Sequence, residues 1–490
     1  MGTTSNLRAR RNAAQLHALV GVEREIRATD SSSRRKYLRD FSRAFRSYEG
    51  VLSNERLELA VRAADTILIG DYHALPASQR FAASAFELRA QPGDRPVVLG
   101  VETIFARDQH IIDEWWRREI DENEFRRRIR FDLDWGYAWD PFYELLVAAR
   151  EHGDAIYGLD CMPREDLRKI SARDRHAAHK IAEIRERHPQ AVIMVLFGES
   201  HLAPSHLPSR LREELPQEKT LLLLQNVDAL YWQATGEKQE RVAAVQVAEN
   251  VVCAFNSTPL EKYESYRLHL SRWGRGEEEG PDLAPTIYNL IDSLVRFLAI
   301  NRYSPHNTTQ PKFLVDMLPE VCTGYSDEPL MHLLARKGAT QKEIEDLLHR
   351  VNEQGCAYIP QLNAFYVREF KMVYAAEEAA CFLHHACRGL PYRGRDLAIS
   401  ESRQALEYAL GYVGSRVLYP ARTEESESSA RRSKNKQRGY ELGKALYDDY
   451  VRGRLTQNGL RRIFLTHVEE DKAADALWKE LTDRYIAPDK

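Results

Sequence analysis

Five short apolar runs dominate the first half of the chain: TILIG at 66–70, VVLGV at 97–101, AIYGL at 155–159, VIMVLF at 192–197 and TLLLL at 220–224. Between them lie polar segments whose apolar residues recur every three or four positions, such as PASQRFAASAFELRA, RDQHIIDEWWRREID, PFYELLVAAREHG and RDRHAAHKIAEIRERH. Unbroken apolar runs mark strands buried on both faces. Strands alternating with amphipathic helices imply a mostly parallel sheet covered by helices on both sides. The expected fold class is therefore α/β, a mostly parallel sheet flanked by helices.

Around this block the pattern changes. Residues 35–63 carry Tyr37, Phe41, Phe45, Tyr48, Leu52, Leu57 and Leu59 at helical steps and are expected to be helical, while VAAVQVAENVVCAFNS at 242–257 offers an edge strand. SRWGRGEEEGPDLAP, residues 271–285, reads as a linker. Beyond it TIYNLIDSLVRFLAI, TQKEIEDLLHRVNEQG and FKMVYAAEEAACFLHHACRG predict an all-α C-terminal region. The expected organisation is an N-terminal segment over 1–34, a candidate for mobility, an α/β domain over 35–270, a helical domain over 286–421, a mobile linker over 422–439 and C-terminal helices over 440–490.

A chain of 490 residues exceeds one ordinary core, which suits this division. The 70 basic and 73 acidic residues leave a net charge of −3, so nothing global favours nucleic acid or an anionic membrane as partner. Six cysteines without a CxxC pair argue against a zinc ribbon or a disulfide framework and suit a reducing cytoplasm. No apolar run is long enough for a signal peptide core or a membrane span, so a cytoplasmic protein is expected.

Open parallel sheets build their ligand sites beyond the carboxyl ends of the strands. The polar residues at those places are Asp71 and His73, Glu102, Asp160, and Glu199 and His201. Residues two apart in extended chain point the same way, so each acid-x-His pair aims a carboxylate and an imidazole into one crevice. Gly70 and Gly198 before the pairs permit a sharp turn and close backbone approach. Oxygen and nitrogen donors without thiolate suit a hard or borderline divalent ion, namely manganese, cobalt, zinc or iron, held by Asp71, His73, Glu102, Glu199 and His201. Such an ion would activate a bound water. Without it, His73 or His201 would serve as a general base oriented by a neighbouring carboxylate, with Glu102 as the third catalytic candidate. Both mechanisms draw on the same residues.

These residues also carry a likeness. The series ILIGDYH, VVLGVETIFARDQHIIDEWW, WDPFYELLVAAREHGDAIYGLDCMPR and VIMVLFGESHLAPSHLP resembles the ChaN-like haem-binding uptake proteins, whose wider superfamily includes Tiki metalloproteases, TraB proteins and erythromycin esterases. The resemblance spans roughly residues 40–255 and implies an α/β fold with its site at the strand ends. It implies haem or iron binding for ChaN-like members and hydrolysis of peptide or ester bonds for others. Asp71 and His73 match the first motif, Glu102 the second and His201 the last, and the Trp139 and Tyr143 segment supports the match. Arg173 and Asp174 resemble an Arg-Asp pair near a helix start in some relatives, which makes Tyr143 and Arg173 cofactor-binding candidates. Asp71 stands where the family usually has glutamate, retracting a carboxylate by roughly an ångström or more. Glu199 adds an acid that could compensate.

Elsewhere, Glu377, Cys381 and His384 or His385 in EEAACFLHHAC share a helical face as a second candidate metal site, against an ordinary core face. His176 and His179 are weighed against a solvated helix, and the arginines of WWRREIDENEFRRRIRFDLDW against a salt-bridged surface. No Walker loop, dinucleotide fingerprint or Gly-x-Ser-x-Gly elbow is present. The first expectation is thus a ChaN-like protein binding a metal ion or haem in a strand-end cleft. The alternatives are a metal-dependent or histidine-general-base hydrolase of an ester or amide, or a scaffold whose helical half binds a protein partner.

Overall fold

The computed structural model describes residues 2–30, 36–161, 170–236, 242–275, 282–300, 318–324, 327–336, 339–386, 400–419, 434–466 and 471–486. The chain forms two compact units, one of residues 26–269 and the other of residues 1–25 with 270–490.

The first unit is built on β1 (Gly50–Leu52), β2 (Thr66–Asp71), β3 (Val97–Phe105), β4 (Ala155–Asp160), β5 (Val192–Gly198), β6 (Thr220–Gln225), β7 (Ala244–Ala248) and β8 (Val251–Ala254). They form one sheet in the order β1-β7-β8-β6-β2-β5-β3-β4. The block from β8 to β4 is parallel throughout, and the antiparallel pairs β1–β7 and β7–β8 finish the other edge. All five predicted strands are present at their predicted places. The 242–257 stretch gives two strands rather than one, turning at Asn250, which takes a positive φ.

Both faces of the sheet are buried, which is why the strands are apolar without alternation. Ile67, Ile69, Leu99, Met194, Leu196 and Leu223 pack to one side with the helices Pro76–Arg89 and Trp139–His152. Leu68, Val98, Ile193, Val195, Phe197 and Leu222 pack to the other with the helices Lys36–Ala44 and Ile170–Arg187. The helix expected over 35–63 is interrupted. The first helix ends at Ala44, residues 50–52 pair with β7 as β1, and Ser53 starts a second helix, Asn54–Ala63, by accepting from the Arg56 N–H.

The second unit is mainly helical, as expected of the C-terminal region, with long buried helices such as Met372–Ala386 and Glu401–Leu418. It also holds a small sheet of β9 (Glu320–Thr323), β10 (Cys356–Ile359) and β11 (Ala364–Val367), in the order β10-β11-β9. Within the segment 1–34, residues 2–29 are helical and 31–35 lie outside the described residues. The linker 271–285 begins inside the helix Pro259–Arg275, with 276–281 outside the described residues. Of the linker 422–439, residues 422–433 lie outside them, and a helix runs from Lys434. No helix among the described residues is long and apolar enough to cross a membrane.

Candidate functional site

Parallel pairing places Asp71 directly opposite Gly198. The ends of β2 and β5 therefore lie side by side, with β3 next to β5, and the strand-end residues converge there.

Glu102 is the hub. Its Oε2 accepts the Gly198 backbone N–H at 2.6 Å and its Oε1 accepts Arg173 Nη2 at 2.5 Å. Arg173 also donates to both oxygens of Asp160, at 2.8 and 2.9 Å. Burial alone would push the Glu102 carboxyl up, but Arg173, the two nearby histidines and the Gly198 N–H outweigh it and hold the pKa down to about 2.

Two imidazoles flank this carboxylate. His73 Nδ1 lies 2.8 Å from Asp71 Oδ2, and its Nε2 lies 3.9 Å from Glu102 Oε2. His201 Nδ1 lies 2.5 Å from Asp174 Oδ1, and its Nε2 lies 3.8 Å from Glu102 Oε1. Each histidine is thus backed by an aspartate and turned toward a different oxygen of Glu102. Burial pulls the His73 pKa down, yet its hydrogen bond to Asp71 and the charges of Asp71 and Glu102 raise it overall. His73 is partly exposed, with Trp135 and Tyr137 against its ring at centroid distances of 4.4 and 5.4 Å, whereas His201 is buried.

The five residues read as metal ligands are close in space but differently engaged. Asp71 is taken up by His73 and Gln79. Glu199 pairs with buried Lys262, whose Nζ is 3.0 Å from both its oxygens. Burial lowers the Lys262 pKa, but the Glu199 carboxylate outweighs it and holds the ammonium charged. Glu199 therefore does not substitute for the shorter Asp71, which reaches its histidine unaided. Gly70 and Gly198 serve close approach alone, since neither has a positive φ.

A divalent ion does not fit this set. A guanidinium and a backbone N–H already occupy both Glu102 oxygens, and among the described residues no group of three His, Cys, Asp or Glu is arranged to hold a metal ion. Haem does not fit on either histidine: His201 is enclosed, and the Nε2 of His73 faces Glu102 and Gly198. Tyr143 stacks on Trp139 at 5.2 Å and meets Trp115 edge-on, so its contacts are with an aromatic cluster rather than with the ion pairs. In the second unit, Glu377 binds the Tyr440 hydroxyl, His384 Nδ1 lies 3.1 Å from the Phe464 carbonyl and His385 Nε2 lies 3.2 Å from Glu407. That face is divided among separate partners. His179 is an exposed neighbour of Glu183, and Arg126, Arg127 and Arg128 form surface ion pairs.

Sequence reasoning missed Tyr37, Lys262 and Gln79. Tyr37 and Lys262 meet their carboxylates through the tertiary fold, and Gln79 reaches back from the start of the next helix to the end of β2. Asp174 was visible only through the Arg173-Asp174 likeness.

Fold and site together define an α/β domain with its polar centre at the carboxyl ends of parallel strands. Residues 59–250 match the family described as haem-binding uptake, Tiki superfamily, ChaN. Among solved structures, the ChaN of Campylobacter jejuni with cofacially bound haem aligns over 36% of this chain and 86% of its own, with 16% identity and a TM-score of 0.29. The type III effector HopBA1 aligns over 43% of this chain and 96% of its own, with 14% identity and a TM-score of 0.30. No curated protein matches the chain.

Proposed function

We propose that the strand-end cleft is a general acid–base centre that hydrolyses an ester or amide bond. The observation that carries this reading is the placing of two aspartate-backed imidazoles on either side of one ionised carboxylate: His73 Nε2 lies 3.9 Å from Glu102 Oε2 and His201 Nε2 lies 3.8 Å from Glu102 Oε1. Both gaps are longer than a direct hydrogen bond, and a water about 2.8 Å from His73 Nε2 and from Glu102 Oε2 would bridge the first of them.

With its Nδ1 proton donated to Asp71, His73 presents a lone pair at Nε2. It would take a proton from the water as the oxygen bonds to the acyl carbon, then return that proton to the departing oxygen or nitrogen. Glu102, immobilised by Arg173 and the Gly198 N–H, would orient the water. Substrate would arrive past the exposed edge of His73, between Trp135 and Tyr137.

The test is turnover of an ester and amide panel by the full chain and by His73→Gln and Glu102→Gln. Each substitution is expected to lower kcat by about 10²–10⁴-fold. The acid limb of kcat/KM is expected above the ordinary imidazole value, because the base must be unprotonated and the His73 pKa is raised. Full turnover in both variants would refute the reading.

A second reading, haem binding, is favoured by the family match over residues 59–250. Because the histidines face inward, a macrocycle would pack against the partly exposed Trp135, whose ring stands edge-on to Tyr137 with centroids 5.8 Å apart. Titration with haem is then expected to give a saturable Soret band that survives His73→Gln. A band lost in that variant would identify His73 as a ligand after rearrangement, and no saturable band would remove this reading.

A further inference from the structure

Tyr37 lies outside the segment that matches the family, on the helix Lys36–Ala44, and its side chain reaches the centre of the site. Its hydroxyl donates to Asp174 Oδ2 at 2.7 Å, while the other oxygen of that carboxylate is 2.5 Å from His201 Nδ1. The Tyr37 ring stacks on His206 with centroids 3.8 Å apart and meets His201 edge-on at 5.4 Å. Phe41, one turn along the same helix, is also buried and packs into the core beneath the sheet.

We propose that Tyr37 is a positioning residue for His201, pinning the Asp174 carboxylate so that it holds one rotamer and one tautomer of the imidazole. A carboxylate held at one oxygen can rotate about its last bond; held at both, it cannot. Asp174 then accepts the Nδ1 proton of His201 and leaves the Nε2 lone pair facing Glu102 Oε1, 3.8 Å away. Burial first, and the neighbouring Asp174 second, push the Tyr37 phenol well above its ordinary range, so it remains a donor at every working pH. The groups that face this chain of contacts are Ser171 and Asp174 on the helix after β4, Arg210 and His206 beyond β5, and Asp40 on Tyr37's own helix, whose Oδ2 is 3.2 Å from His206 Nε2.

The consequence for turnover rests on the acid–base reading; the effect on His201 itself does not. The experiment is ¹⁵N-histidine NMR on the full chain at one neutral pH, following the tautomer and ring nitrogen resonances of His201 in the wild type and in Tyr37→Phe. Removing the donor frees one oxygen of Asp174, so the ring nitrogen resonances of His201 are expected to shift and its second tautomer to appear. Incorporating 3-fluorotyrosine at position 37, a stronger donor of nearly the same size, is expected to shift the resonances in the opposite sense, which keeps the test open if Tyr37→Phe does not fold. His201 resonances and tautomer unchanged in both proteins would overturn the proposal. Shifted resonances in a protein that turns over no substrate would uphold the positioning role while refuting the acid–base reading.

Discussion

Replacing Arg173 with methionine is expected to lower the stability of the α/β unit by about 3–5 kcal/mol at neutral pH, measured as a fall in the urea midpoint. Arg173 is buried and is the cation shared by Glu102 and Asp160. Methionine fills much of the same volume, so the loss comes from two buried carboxylates left without their positive partner rather than from a cavity. The pH dependence separates these causes. Glu102 is held at about 2 in the folded protein, so its contribution is complete above the ordinary carboxyl value of 4.5 and is lost as the pH falls through about 2. Without Arg173 the folded-state value rises, and protonation relieves the orphaned charge. The gap between variant and wild type is therefore expected to narrow from pH 7 to pH 4. An equal gap at both pH values would assign the loss to packing. Adding Glu102→Gln to Arg173→Met should cost less than the sum of the single changes, since the two groups share one interaction.

How far the sequence discloses this arrangement depends on whether a residue's partner is set by the strand or by the fold. The five runs from TILIG to TLLLL were legible because a strand buried on both faces has to be apolar at every position. In the structure, Ile67 and Ile69 pack on one face and Leu68 on the other. Asp71, His73, Glu102 and His201 were legible because the carboxyl edge of a parallel sheet is where backbone and side chains can converge. What each carboxylate would contact was not legible. Glu199 looks like a second copy of Asp71 in the sequence, yet Glu199 meets Lys262, 63 positions further on, and Asp71 meets its own histidine. Local repetition thus predicted the place of both acids and not that they take different partners. The interruption of the 35–63 helix at β1 is of the same kind, because the strand exists only where β7 provides an edge to pair with. The four-residue strands CAYI and AFYV are likewise too short to stand out within helical surroundings.

Gly198→Ala is expected to abolish most turnover, by about 100-fold or more, while leaving the fold intact. The backbone at 198 has φ −50° and ψ 130°, which alanine adopts without strain, so the effect is confined to the added methyl group. That methyl would press on the two groups proposed to hold the attacking water, at 3.1 Å from Glu102 Oε2 and 3.2 Å from His73 Nε2. Its neighbours must yield by a few tenths of an ångström, at a cost on the order of 1–3 kcal/mol. The control is Gly70→Ala at the matching position of the first motif. There the added carbon would meet Leu202 Cδ1 at 3.3 Å and Glu199 Cβ at 3.5 Å, and it would touch neither Glu102 nor His73 among its three nearest atoms. The two variants should therefore suffer similar crowding and differ in chemistry: Gly70→Ala is expected to keep turnover within a few-fold of wild type. If Gly198→Ala also keeps it, no water is activated between His73 and Glu102. The convergence of two aspartate-backed histidines on Glu102 would then be a scaffold for the cleft rather than the source of its chemistry.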